Sequence, residues 1–106
     1  MTDRELLEAA AKAAGLYSQG DEISRYGHFM GLSIREDNNP SGYCWNPLTN
    51  EGDAVRLAHK LKLDVFFHER GALVNADDGF SRDERGPDPL AAARRAIVRA
   101  AAETKE

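Results

Sequence analysis

The sequence predicts an α+β domain: a layered sandwich of one small, mainly antiparallel sheet covered by three helices, in the order α-β-β-α-β-β-α. Three observations carry this reading. Three segments place apolar residues at helical spacing behind an N-cap residue. Between them lie period-2 stretches joined by short turns, which suits antiparallel pairs and leaves no room for crossovers. The chain has 106 residues, 42 % of them hydrophobic. Because 16 of these are alanine, only 28 larger apolar side chains remain, enough for one core and therefore one domain over residues 1–106.

The first helix is expected over residues 2–14. Thr2 and Glu5 have the spacing of a capping box, Leu6, Ala10, Ala13 and Ala14 share a face, and Gly15 stands at a C-terminal stop. A polar stretch, 18–22, reads as a turn. Phe29, Met30, Leu32 and Ile34 contain a period-2 series, and Gly27 and Gly31 interrupt it as a bulge or a close approach would. The segment 36–42 reads as a turn, after which Tyr43-Cys44-Trp45 resumes a strand, making 23–45 a hairpin. Ala54, Leu57, Ala58 and Leu61 form the clearest helical stripe, capped by Thr49 or Asn50. Residues 63–68 and 72–76 read as a second hairpin across Glu69-Arg70-Gly71. Residues 77–89 read as a loop. Asp88-Pro89 then opens a last helix to about Ala102, with Leu90, Ala93, Ile97, Ala100 and Ala101 facing inward and residues 103–106 frayed.

Charge narrows the function classes. Fourteen Lys and Arg stand against 18 Asp and Glu, a net charge of −4. An acidic balance disfavours broad binding to nucleic acid, which needs clustered cations against phosphate. The first half, 1–53, carries net −5 and the second, 54–106, net +1. Arg95 and Arg99 lie one turn apart beside Arg94, a docking stripe for an acidic partner or an ordinary solvated face. No apolar run approaches the ~20 residues that cross a bilayer, so no membrane partner is expected. Asp3, Glu5 and Glu8 occupy the stretch where a signal peptide is apolar. With a single cysteine, Cys44, the expected setting is a reducing cytosol.

The run Trp45-Asn46-Pro47-Leu48-Thr49-Asn50-Glu51-Gly52-Asp53-Ala54-Val55-Arg56-Leu57-Ala58 resembles the phage ABA sandwich domain family, small proteins encoded by bacteriophages and prophages. The opening Thr2-Asp3-Arg4-Glu5-Leu6-Leu7 and the close from Ala93 to Ala102 are similar to it too. Asn50-Glu51 and His59 depart mildly from the pattern. The resemblance implies helices on either side of a sheet and a phage setting. It implies no activity.

No catalytic constellation is found. The metal-ligating candidates His28, Cys44, His59 and His68 are dispersed, none within four residues of another. The acidic stretch 75–79 fails as an EF-hand: with Gly79 at loop position 6, Val74 and Arg85 fall where acids are required. The start of the central helix lacks the Gly-x-x-x-x-Gly-Lys of a P-loop. Cys44, between Tyr43 and Trp45 in a strand, reads as a buried, inert thiol. No cofactor and no enzyme activity are expected.

Trp45-Asn46-Pro47 admits two readings. Trp45 either fills the core at a strand end, with Asn46 bonding backbone and Pro47 shaping the turn, or it anchors a contact surface. That surface would comprise Trp45, Asn46, Pro47, Thr49 and Asn50 with Asn38 and Asn39 of the neighbouring turn. The leading expectation is a non-enzymatic module binding a host or phage protein. Its rivals are a small-molecule or nucleotide-derivative binder with a pocket of Tyr26, His28, Tyr43 and Trp45, and a virion assembly component acting by self-association.

Overall fold

A computed structural model describes residues 2–36, 39–76, 79 and 81–104, and for residues 36 and 39–42 the backbone course alone. Helix α1 spans Asp3–Ala13. Both bonds of the capping box are made, Glu5 N donating to Thr2 Oγ1 and Thr2 N to Glu5 Oε1. The helix ends in a Schellman motif, with Leu16 N donating to Ala11 O at 2.9 Å and Gly15 N to Lys12 O at 3.1 Å. Helix α2 (Glu51–Lys60) is capped by Asn50, and α3 (Pro89–Glu103) by Asp88 with proline in its first turn. At the far end of α3, Thr104 Oγ1 donates to the Ala100 carbonyl at 2.8 Å. Residue 103 is thus the last of α3 and Thr104 its C-cap. Positions 105 and 106 lie outside the described residues.

The α+β class and the antiparallel pairing are as the sequence predicts. The described residues form six strands where four were expected, and they divide into two three-stranded sheets, giving the order α-β-β-β-α-β-β-β-α. The first sheet is a meander of β1 (Tyr17–Ile23), β2 (Phe29–Glu36) and β3 (Asn39–Trp45). The second is β4 (Asp64–His68), β5 (Gly71–Asn75) and β6 (Ser81–Arg85).

The two unexpected strands, β1 and β6, fall in segments read as a turn and a loop. Both are polar and both are sheet edges, so neither carries apolar alternation; ladder bonds to β2 and β5 hold them. In β6 the alternation is in exposure: half-buried Arg82 and Glu84 lie toward α3, where Arg82 pairs with Glu103 and Arg99 with Glu84 at 2.9 Å. The turn expected at 36–42 also contracts, since β2 runs to Glu36 and β3 begins at Asn39; positions 37 and 38 lie outside the described residues. Gly31 interrupts β2 as read. Glu22 pairs with Gly31 and Ile23 with Phe29, leaving Met30 as the extra residue of a bulge.

Helix α1 packs on β1, β2 and α3, while α3 packs on α1, α2 and the second sheet. The layers thus run sheet, helices, sheet. One buried cluster joins Leu6 and Leu7 of α1, Leu32 and Ile34 of β2, Leu57 of α2, Val74 of β5 and Ile97 and Val98 of α3. Leu90, assigned to the inner face of α3, is instead 56 % exposed because it lies in the first turn, before the helix reaches its neighbours. No helix among the described residues is long and apolar enough to cross a membrane.

Where β5 meets β6 and α3, only a hydrogen fits. A Cβ on Gly71 would lie 2.0 Å from the Glu84 carbonyl oxygen and 3.0 Å from Ala92 Cβ. Gly71→Ala should therefore lower the unfolding free energy by about 2–3 kcal/mol through backbone displacement. At Gly86 an added Cβ meets only Ala92 Cβ, at 3.9 Å, so Gly86→Ala should stay within about 0.5 kcal/mol. Urea unfolding of the two variants beside the wild type checks both values.

Candidate functional site

The link from β3 to α2 is a hydrogen-bonded connection closed over the core. Trp45 is only 3 % exposed and Pro47 is fully buried. Asn46 N donates to Asp53 Oδ2 at 3.0 Å, Asn46 Nδ2 to the Met30 carbonyl at 3.0 Å, and Leu48 N to Asn46 Oδ1 at 3.1 Å. Asn50 Oδ1 caps the helix by accepting from Asp53 N at 2.9 Å. The second oxygen of the buried Asp53 carboxylate accepts from Arg56 at 2.6 Å. Arg94 reaches across from α3, donating to the Leu48 carbonyl at 2.8 Å and pairing with Glu51.

This corrects the contact surface expected from the sequence. Trp45 and Pro47 are buried, Trp45 within the same core cluster as Leu57 of α2, and the polar groups of Asn46 serve the chain itself. Thr49 and Asn50 are exposed. Asn39 starts β3 with its side chain outside the described residues, as is all of Asn38.

The remaining candidates do not converge. Tyr43 and Trp45 border a cavity of about 60 Å³ with Leu16, Arg56, Leu57 and Lys60. Tyr26 is 79 % exposed and His28 is exposed in the β1–β2 connection, so the four-residue pocket does not form. Cys44 is exposed, a second correction: strand alternation directs Trp45 inward and Cys44, opposite Ser33, outward. Its Sγ lies 3.5 Å from the Met30 carbonyl, and partial desolvation, then Glu22 and Asp53, pushes the thiol pKa up. A thiol held protonated is a poor nucleophile. Among the described residues no group of three or more His, Cys, Asp or Glu side chains could hold a metal ion.

The arginines of α3 act as braces. Arg94 binds Glu51 and Arg99 binds Glu84. Arg95 makes no hydrogen bond or ion pair among the described residues. It lines a cleft of about 250 Å³ with Arg82, Arg99, Asp3 and Glu103, floored by Leu6 and Leu48.

The free edge of the second sheet is a feature the sequence reading passed over. Adjacent residues in a strand face opposite ways, so Phe66 and Phe67 of β4 can both be buried only if both sheet faces are covered. Here α3 covers one face, chiefly over β5 and β6. Phe66 is 54 % and Phe67 67 % exposed. On the open face Phe66 stands opposite Leu73 and next to His68. His68 Nε2 lies 2.9 Å from Asp83 Oδ1 while its Nδ1 accepts from Arg70 N at 3.2 Å. The His68 bond, with Arg85 behind it, holds the Asp83 carboxyl below its ordinary pKa.

Other edges carry the devices that discourage strand addition: charges along β6, Asp21, Glu22 and a bulge in β1, and Pro40 in the sequence of β3. In β4 the only carboxylate is Asp64, at its end, and no lysine, proline or bulge interrupts the strand. The pair of adjacent phenylalanines was the available signal.

Comparison with known proteins finds no matching family model, no matching curated protein and no matching solved structure.

The buried Asp53 supplies a test of the β3–α2 link. Asp53→Ala leaves the Asn46 N–H without its acceptor and should cost about 1–3 kcal/mol of stability. Thermal and urea unfolding of the variant measure this loss.

Proposed function

We propose that this chain is a non-catalytic protein-docking module that adds an extended segment of its partner to the open edge of β4. The observation that carries this is the unprotected aromatic edge, with Phe66 and Phe67 exposed on its two faces. Backbone hydrogen bonds to an added strand supply affinity, and contacts to alternate side chains supply selectivity. The resemblance of the Trp45–Ala58 run to small phage proteins supports a phage or prophage origin and action in the bacterial cytoplasm on a host or phage protein. The contact surface in this reading is β4, not the Trp45–Asn50 link.

Affinity capture with the tagged protein, from bacterial cells that also make the untagged chain so that a second copy counts among the possible partners, tests this. A stoichiometric partner should be retained by the wild type and by Thr49→Lys, and lost with Phe66→Lys and Phe67→Lys, circular dichroism confirming that all four are folded. Capture indifferent to both phenylalanine substitutions would overturn it.

A second reading is favoured by Arg95. A cation with no partner among the described residues, in a cleft with two further arginines, can hold the phosphate or carboxylate of a small ligand. Asp3 and Glu103 at the same cleft oppose this. A thermal-shift series with inorganic phosphate and nucleoside monophosphates should raise the melting temperature of the wild type but not of Arg95→Gln. The absence of any shift would remove this reading.

A further inference from the structure

Resting on the reading that β4 is the docking edge, we infer that the strand it accepts is β4 of a second copy of this chain, paired antiparallel about Phe66. Three features of the edge converge on this occupant.

The first is hydrogen-bond parity. β4 and β5 are joined by a two-residue turn, with His68 opposite Gly71, Phe66 opposite Leu73 and Asp64 opposite Asn75. A turn of this length closes on a hydrogen-bonded pair, and such pairs alternate along an antiparallel ladder. His68, Phe66 and Asp64 therefore direct their backbone groups to β5, and Val65 and Phe67 direct theirs outward. Antiparallel self-pairing centred on Phe66 sets Val65 of each copy against Phe67 of the other. Those are the residues with free amides and carbonyls, so the ladder closes with four hydrogen bonds across the axis.

The second is side-chain complementarity. In the same register Phe66 meets Phe66, and Asp64 meets His68 at both ends of the strand. No two like charges face one another within β4. Aromatic cross-strand pairs are among the favourable ones in sheets, whereas like charges directly opposite are destabilising.

The third is the layer arrangement. A two-fold axis perpendicular to the sheet keeps both open faces on one side and both α3 helices on the other. On the open face, Leu73 and Phe66 of each copy then form one continuous apolar stripe. On the helix face, the exposed Phe67 enters the space beside α3, which lies chiefly over β5 and β6. The result is a continuous six-stranded sheet in which both phenylalanines are shielded by one interaction.

Multi-angle light scattering and sedimentation velocity across a concentration series provide the first readout. The wild type should move from 11.7 kDa toward twice that mass as concentration rises. Phe66→Lys, which sets two ammonium groups face to face at an exposed position, should weaken association at least 10-fold without changing the circular dichroism spectrum. The register is read by cross-linking in a Cys44→Ser background. Phe66→Cys places two Cβ atoms about 4.5 Å apart, within disulfide reach, and should oxidise to a covalent dimer. Phe67→Cys places its thiols on a diagonal and should remain largely uncoupled.

A chain that stays monomeric to about 1 mM, and whose Phe66→Cys variant does not cross-link, overturns self-pairing. If that monomer still captures another protein in a Phe66-dependent way, the docking edge stands and only the identity of its occupant falls. If it does not, both fall. A dimer that survives Phe66→Lys also overturns the inference, because its interface then lies elsewhere.

Discussion

The structure depends on how closely its neighbours can approach α3. This helix touches α1, α2 and the second sheet, and its buried positions are Ala92, Ala93, Ala96, Ile97, Val98, Ala100 and Ala101. Alanine ends at Cβ, so it lets neighbouring backbones come close while the larger side chains needed to fill the space come from those neighbours, from Leu6 and Leu7 and from Leu57 and Val74. The same condition applies at the sheet, where Gly71 faces Ala92 across a gap that excludes even a methyl group. Larger residues along α3 would wedge these layers apart, since well-packed interiors do not absorb added volume. The high alanine content of the chain follows from this one central helix and from α1, which packs against it.

Close packing around α3 also dictates where charge goes. The arginines emerge at the seams between layers. There Arg94 spans to Glu51 and the Leu48 carbonyl, Arg99 to Glu84 and Arg82 back to Glu103. These contacts join segments distant in sequence and give orientation at the margins of an apolar core. Asp53 serves the same purpose at the β3–α2 link, accepting from Asn46 N and Arg56 while its own amide reaches the Asn50 cap. Residues that looked like recognition elements are therefore ties within the fold.

With helices between the two sheets, each sheet keeps one face open and two edges free. Three of the four edges carry charges, a bulge or proline. The fourth, β4, presents a short aromatic strand whose outward backbone groups and side chains suit another extended strand. The functional proposal follows from that geometry, because strand addition needs no pocket and no catalytic group.

The sequence by itself determined the three helices, through signals confined to a few neighbouring residues: the Thr2–Glu5 box, the Asn50 and Asp88 caps, and apolar spacing at 54, 57, 58 and 61. It also determined β2, the Tyr43–Trp45 end of β3, β4 and β5, whose side chains alternate or run apolar. Tertiary structure alone decided the rest. The polar strands β1 and β6 exist because a neighbouring strand offers them a ladder, and a ladder partner leaves no mark on a strand's own side chains. The division into two sheets, the burial of Trp45 and the exposure of Phe66, Phe67 and Cys44 depend on which layer covers which face. A period-2 pattern shows that a strand has two faces; only the packing of α3 and α1 decides which of them meets water.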